Sequence, residues 1–343
     1  LAGSSPIEIV IKILSMDAII SMCTLDTLTK AAANLKRGGI VAFPTETVYG
    51  LGVDATNEAA VHRMYQVKGR PADHPVIVHI ASKDDVNYWT QNVPDYAVNL
   101  MRDFWPGPMT LLLERSENVG DFITGRQSVV GIRIPDHVIA LNLLNSFKKV
   151  GGKGIAAPSA NRFGAVSPTS AAAVKAELEE YLAPDDQILD GGQSIIGVES
   201  TIIDCTKANP IVLRPGAVTA AMIEQSTGIV LTTPESEAPR VSGSLTQHYS
   251  PNAFVRIGVD AAAGDGFIAL EAIATPAGAI RLASPKTDDQ YARELYAALR
   301  AGDEQQLESI WIVPPTGDGL AVAIRDRIER ASNYSDSCQV EGI

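Results

Sequence analysis

Between residues 24 and 37 apolar positions recur at helical spacing. Leu28, Ala31, Ala32 and Leu35 fall on one face, Thr24 is placed to cap the helix and Gly38-Gly39 to stop it. The pattern then becomes a continuous apolar run, residues 40–44, which predicts a buried strand delivering Thr45 and Thr47 to an edge. Thr56 or Asn57 caps a second helix to about Val67, closed by Gly69 and Pro71. Strands are predicted over residues 75–80, 109–114, 129–134, 154–158, 187–190, 200–205 and 211–214. Helices are predicted over 136–148 and 169–182, the latter with Ala171, Val174, Leu178 and Tyr181 on its buried face. Several strands are joined too closely for a helical crossover, so a mixed sheet is expected rather than a purely parallel one.

Residues 229–252 lose all hydrophobic period and read as a linker. Beyond it, strands over 254–259, 267–270, 279–282 and 309–313 alternate with helices over 288–301 and 320–331, a small, separate α/β domain. The expected organisation is an N-terminal extension, 1–23, a catalytic domain, 24–228, the linker, 229–252, and a C-terminal domain, 253–343.

Composition narrows the class. A chain of 343 residues that is 45% hydrophobic can fill two ordinary cores. No apolar run reaches the roughly 18 residues of a membrane span. Glu8, Lys12 and Asp17 interrupt the apolar start and no small-residue cleavage site follows, so no signal peptide is expected. Met16 or Met22 is a candidate native start. Cys23, Cys205 and Cys338 are far apart and form no pair, which fits free thiols in a reducing cytoplasm and no metal site. The net charge of −12, about half of it from Ala253 onward, opposes nonspecific nucleic-acid binding.

The chain has no Walker A loop and no G-x-G-x-x-G. Its polar signals sit at strand ends and turns: Thr45, Thr47, Lys68, Arg70, His79, Arg133, Ser159, Asn161, Ser167, Ser200, Thr201 and Arg214. Hydroxyls, cations and small residues there suit a phosphate-bearing small molecule. Each has a plainer alternative. Lys68 and Arg70 could cap a helix C-terminus, and Ser159 and Asn161 could satisfy their own turn. His79 could be a satisfied core residue, and His248-Tyr249 an exposed loop. Arg133, within Val129-Val-Gly-Ile-Arg-Ile-Pro135, is harder to dismiss. A buried guanidinium costs several kcal/mol unless it meets a carboxylate or phosphate, so it marks either a ligand site or an internal ion pair. Arg214 ends an apolar strand in the same way.

Taken together, Phe43-Pro-Thr-Glu-Thr-Val-Tyr-Gly-Leu-Gly52, Lys68-Gly-Arg-Pro71, Gly131-Ile-Arg-Ile-Pro135, Pro158-Ser-Ala-Asn161, Gly197-Val-Glu-Ser-Thr-Ile202 and Leu213-Arg-Pro-Gly216 resemble, in order, the motifs of the threonylcarbamoyl-adenylate synthase family. Tyr291-Ala-Arg-Glu-Leu-Tyr-Ala-Ala-Leu-Arg300 and Gly319-Leu-Ala-Val-Ala-Ile-Arg-Asp-Arg327 resemble the C-terminal domain of its long form, and His248-Tyr-Ser-Pro251 its linker signature. Val241-Ser-Gly-Ser-Leu245 departs from the family's usual Ser-Pro-Gly-Met, and His74 stands where an Asn is common.

The resemblance implies an α/β YrdC-like fold, a twisted mixed sheet with flanking helices, plus a small Rossmann-like C-terminal domain joined by a linker. It implies a nucleotidyltransferase that joins L-threonine, bicarbonate and ATP into threonylcarbamoyl-adenylate and pyrophosphate. Mg2+ would be held by ATP rather than by protein ligands, and the product would pass to the threonylcarbamoyl-transferase complex acting on tRNA. By motif position, Lys68 and Arg70 are the catalytic candidates. Thr47, His79, Arg133 and Ser200 are the threonine candidates. Arg70, His74, Ser159, Asn161, Ser167, Arg214 and His248 are the nucleotide candidates. The linker and C-terminal domain are expected to act as a lid.

Two other classes stay open. An RNA-binding module of the same fold would need a basic, aromatic-lined cleft, and aromatic residues are only 6% of this acidic chain. A carbamoyl-transferring relative would use carbamoyl phosphate. Such relatives generally carry zinc-finger-like cysteine pairs, and this chain has none.

Overall fold

A computed structural model of the chain describes residues 20–231, 238–241, 243 and 249–337. Ten strands form one mixed sheet: β1 (Ile20–Met22), β2 (Val41–Phe43), β3 (Gly50–Asp54), β4 (Val78–His79), β5 (Met109–Glu114), β6 (Val129–Arg133), β7 (Ile155–Ala156), β8 (Gln187–Asp190), β9 (Thr201–Asp204) and β10 (Ile211–Arg214). Their order across the sheet is β1-β8-β2-β3-β7-β4-β6-β5-β9-β10. The pairs β1/β8, β2/β8, β4/β6 and β5/β9 are parallel and the others antiparallel. The sheet therefore takes in Ile20–Met22, three residues inside the segment expected to be an extension.

The principal helices are α1 (Leu25–Lys36), α2 (Glu58–Lys68), α3 (Val86–Trp89), α4 (Asp95–Phe104), α5 (Asp121–Thr124), α6 (Val138–Lys149), α7 (Ala171–Leu178) and α8 (Ala220–Thr227). Helix α1 forms where its capping pattern places it: Thr24 and Thr27 make a reciprocal capping box, and Leu28, Ala31, Ala32 and Leu35 are buried. Helix α2 starts at Asn57, whose side chain accepts from Ala60 N, and ends at Gly69 in the left-handed conformation. Helix α7 stops at Leu178 and gives way to a tight turn over Glu179–Tyr181, so Tyr181 faces outward instead of joining the buried face. Its ring lies under the Arg162 guanidinium, 4.2 Å away.

Alternation along the strands divides the core. Val41, Phe43, Ile155, Ala157 and Leu189 pack with α1 and α6 on one side. Ala42, Leu51, Val78, Ala156, Ile132 and Ile203 join the larger core on the other. The C-terminal domain has β11 (Phe254–Ile257), β12 (Gly266–Ile268), β13 (Ile280–Ala283) and β14 (Ser309–Ile312), in the order β11-β14-β12-β13 and parallel throughout. It also has α9 (Asp288–Glu304) and α10 (Leu320–Ser337).

This domain has its own sheet and packs directly against the first. Val48, Val166 and Val198 share one apolar cluster with Tyr249, Tyr291, Leu295, Tyr296 and Ile328. The approach is close enough to need a glycine. A Cβ on Gly197, at φ +87°, would lie 2.4 Å from the Ala292 carbonyl oxygen of α9.

Candidate active site

A cleft opens on one face of the sheet, beside α1 and α6 and under the C-terminal domain. Strand register explains why its side chains meet. His79 pairs with Arg133 on β6 and with Ile155 on β7, and paired residues share a face. Ile77, two residues before His79, points the same way and bonds through its carbonyl to Ala157 N. Ile77, His79, Arg133 and Ala157 all line the cleft. The site therefore lies across a sheet face, not along an edge. The antiparallel β4/β7 pairing brings opposite strand ends together there.

The Thr45–Tyr49 loop folds over this face. Thr45 Oγ1 donates to Val48 O at 2.6 Å and accepts from the backbone N–H groups of Thr47 and Val48. Its proton is thus committed, so the 2.8 Å contact between the two threonine hydroxyls has Thr47 as donor. Arg133 Nη2 in turn donates to Thr47 Oγ1 at 3.0 Å and lies 2.7 Å from Glu46 Oε1. Both ends of this ion pair are buried, and the Glu46 oxygens make no well-directed hydrogen bond among the described residues. The two readings left open for Arg133 hold together: it is ion-paired and it lines the cleft.

Burial, reinforced by the positive charge of Arg133, pushes His79 down to about 3, so its imidazole is neutral. Its Nδ1 is buried with no hydrogen-bond partner among the described residues. Thr47, Ser159, Ser200, Arg70 and Arg214 complete the predicted residues found on the wall. Arg70 Nη2 donates to Pro75 O at 2.7 Å. Arg214 donates from Nε and Nη2 to Ser200 O at 3.0 and 2.9 Å, and from Nη2 to Ser200 Oγ. Burial lowers both guanidinium pKa values. Three guanidinium groups around one cleft form a concentrated anion site within an acidic protein.

Four predicted residues do not reach the wall. Lys68 is buried and donates from Nζ to the carbonyls of Ser159, at 2.6 Å, and Asn161, so it fixes their turn from behind. Burial and then Arg70 press its pKa well below the usual lysine value. Asn161 spends its amide on the carbonyls of Arg162 and Ala165. Ser167 donates to Glu199 Oε1 at 2.6 Å. His74 packs its ring edge-on to Phe163, with centroids 5.4 Å apart. None of the four lines the cleft; Lys68 and Ser167 hold residues that do, Ser159 and Glu199. His248 lies outside the described residues.

Three contributors were not singled out as site residues. Glu199 lines the cleft beside Ser200. Tyr249, 1% exposed, is no exposed loop residue: it lines the cleft and stacks on Tyr296 at 5.7 Å. Arg327 of α10 donates from Nε to Glu199 Oε2 at 2.8 Å. The sequence held one signal for Arg327, since it falls on the apolar stripe Ala323, Ile324, Ile328, Ala331.

The departing linker motif still enters the site. Val241 is buried against Leu112, Val129 and Ile202, and Gly243 lines the cleft at φ +77°. A Cβ on Gly243 would lie 2.2 Å from Tyr249 Oη. Among the described residues, no group of three or more His, Cys, Asp or Glu side chains is placed to hold a metal ion. None of the helices among the described residues is long and apolar enough to cross a membrane.

Comparison with known proteins places these features. A family model described as "Telomere recombination", covering Sua5, YciO and YrdC proteins, matches residues 33–216, and one described as "Threonylcarbamoyl-AMP synthase, C-terminal domain" matches residues 218–333. The chain is 37% identical over 324 residues to the threonylcarbamoyl-AMP synthase of Pyrococcus abyssi, covering 89% of this chain and 93% of that protein. It is 42% identical over 231 residues to the Bacillus subtilis protein of that name, covering 66% of this chain and 65% of the relative. The crystal structure of P. abyssi Sua5 complexed with L-threonine superposes with a TM-score of 0.81 at 35% identity, over 92% of this chain and 98% of that one.

Proposed function

The chain belongs to the threonylcarbamoyl-AMP synthase family, and on that premise we propose that it condenses L-threonine, bicarbonate and ATP into threonylcarbamoyl-AMP, pyrophosphate and water. The observation that carries this reading is the cleft itself: three guanidinium groups, a neutral imidazole whose Nδ1 has no partner among the described residues, and the hydroxyls of Thr47 and Ser200.

Each group has a use. Arg133 takes the threonine carboxylate, with Glu46 and Thr47 fixing its fork. His79, neutral and with an open lone pair, accepts from the threonine hydroxyl. Ser200 and Thr47 add short polar contacts. Arg70 and Arg214 face the ATP phosphates, and Lys68 holds the Ser159 turn against the nucleotide. Asn161 and Ser167 support that wall.

The amine of threonine captures bicarbonate as a carbamate, with loss of water. A carbamate oxygen then attacks the α-phosphorus, and the bond to pyrophosphate breaks. Negative charge grows on the phosphoryl oxygens, and cations already in place stabilise it without reorganising. Mg2+, which ATP rather than the protein would hold, would offset phosphate charge when bound. Tyr249, Gly243 and the C-terminal domain close the cleft and shield a labile mixed anhydride from water. We place the protein in the cytoplasm, handing its product to the threonylcarbamoyl-transferase complex that modifies tRNA.

Incubation with isotopically labelled bicarbonate tests the reading. Mass spectrometry should find the label in a threonine- and ATP-dependent adenylate. Label that never enters a nucleotide would overturn it.

A further inference from the structure

Glu199, Tyr296 and Arg327 come from three distant parts of the chain and meet in one buried cluster behind the cleft. Glu199 accepts from Ser167 Oγ at 2.6 Å, from Tyr296 Oη at 2.9 Å and from Arg327 Nε at 2.8 Å. Arg327 also donates from Nη2 to Pro215 O at 3.0 Å, and its guanidinium lies 5.3 Å from the Tyr249 ring centroid. Its Nη1 is paired with Asp326, which also holds Arg330. Arg327 is 1% exposed and Glu199 6%. Pro215 directly follows Arg214, so one side chain from α10 grips both the carboxylate beside Ser200 and the backbone beside Arg214.

A second cation near Glu199 gives the cluster its meaning. Arg214 donates from Nε and Nη2 to the carbonyl of Ser200, the residue next to Glu199, and Arg214 and Glu199 both line the cleft, so the two charges act on each other. If Glu199 had no other partner, its negative charge would fall on Arg214 and cancel part of the attraction that Arg214 offers to an anion.

We infer that Arg327 is a positioning residue supplied by the C-terminal domain: by pairing with Glu199 it leaves the positive charge of Arg214 available to the anionic ligand in the cleft. The inference rests on the reading that this cleft takes ATP. It gives the C-terminal domain an electrostatic part in the site, in addition to covering it. The groups facing Glu199 agree. Burial opposes its ionisation, yet Arg327 and Arg214 outweigh burial and bring it down to about 2. The other neighbours, Ser167, Tyr296 and Tyr249, carry no positive charge.

A role as mere glue between domains predicts something different, and a charge-rescue experiment separates the two. Calorimetric titration with Mg-ATP would compare the full-length chain with Arg327→Met, Glu199→Gln and the double variant, each checked for folding by circular dichroism. Arg327→Met should weaken ATP binding roughly tenfold or more, because an unpaired buried carboxylate then opposes Arg214. The double variant, with no carboxylate left, should bind within about threefold of the parent. Glue alone predicts a double variant no better than Arg327→Met, and that result would overturn the inference, as would unchanged affinity in Arg327→Met. If Arg327→Met does not fold, Arg327→Lys decides: it keeps the charge at Glu199 and should bind within about threefold of the parent. A folded Lys variant that binds tenfold more weakly would contradict the proposal. A parent chain that binds no ATP overturns the functional reading and this inference with it. A parent that binds ATP without the charge effect overturns this inference alone.

Discussion

His79 and Arg133 are register partners on the parallel strands β4 and β6, so an imidazole and a guanidinium stand side by side on the face that carries the cleft. The pairing sets the protonation of the site. Desolvation and then the neighbouring cation both disfavour a charged His79, which falls to about 3. Its folded pKa is thus below the unfolded value of 6.5. Between those two values the unfolded chain binds the extra proton, so stability is lost as pH drops below about 6.5. The His79 ring resonances should stay flat from pH 9 to about 5 in an NMR titration. A midpoint near 6.5 would show that the imidazole is not held as described.

The proposed function puts Arg133 at the amino-acid end of the site. Removing a charge-assisted hydrogen bond costs roughly 1.5–3 kcal/mol, so Arg133→Ala should raise the KM for threonine by about ten- to a hundredfold and change that for ATP far less. The same variant leaves Glu46 buried without its cation, so it should also melt at a lower temperature. Arg133→Lys, which keeps the charge without the fork, should recover much of the stability but less of the threonine affinity. Steady-state kinetics in both substrates, with melting curves, check this. Unchanged threonine dependence in Arg133→Ala would remove it from the assignment.

Lys68 is predicted to behave as a support and not as an acid or base. Lys68→Met strips the Ser159 and Asn161 carbonyls of their buried donor, at about 1–3 kcal/mol for each group left unsatisfied. Melting temperature and ATP affinity should fall together. The pH dependence of the residual rate should match that of the parent, and a lost limb in that profile would return Lys68 to the chemistry.

Glu199 makes a stability prediction with a defined sign. Its folded pKa of about 2 lies below the ordinary glutamate value of 4.5. The stabilisation, about 3 kcal/mol by linkage, is present above pH 4.5 and lost as pH falls toward 2. Denaturation between pH 6 and 3 should therefore be shallower in Glu199→Gln than in the parent, measured by chemical unfolding at each pH. Parallel slopes would contradict the pairing.

Much of the fold was legible where local pattern and packing agree. Helix α1 carries its own cap, stripe and stop, and β5, β8 and β10 fall on the residues their apolar runs mark. Strand β3, Gly-Leu-Gly-Val-Asp, was hidden because two glycines erase the alternation. Only the fold shows that Gly52 leaves room for Phe43 and Ile155, each 2.8 Å from where its Cβ would stand. Helix α4 begins after Pro94, whose side chain makes no capping hydrogen bond, so it lacked a start signal. In the site, Arg133 stood out because a guanidinium at a buried strand position needs a partner, whereas His79 and Ser200 were placed only by the motifs they sit in. Lys68 could not be separated from the wall it supports, since the carbonyls that hold it lie about ninety residues away. The Glu199–Arg327 pair spans 128 residues and two domains, a distance that no local pattern crosses.

The most direct test of the account is pyrophosphate release from Mg-ATP by the full-length chain, with L-threonine and bicarbonate omitted one at a time. Release that requires both is the predicted result. Release that proceeds without threonine, or none from folded protein, would contradict it.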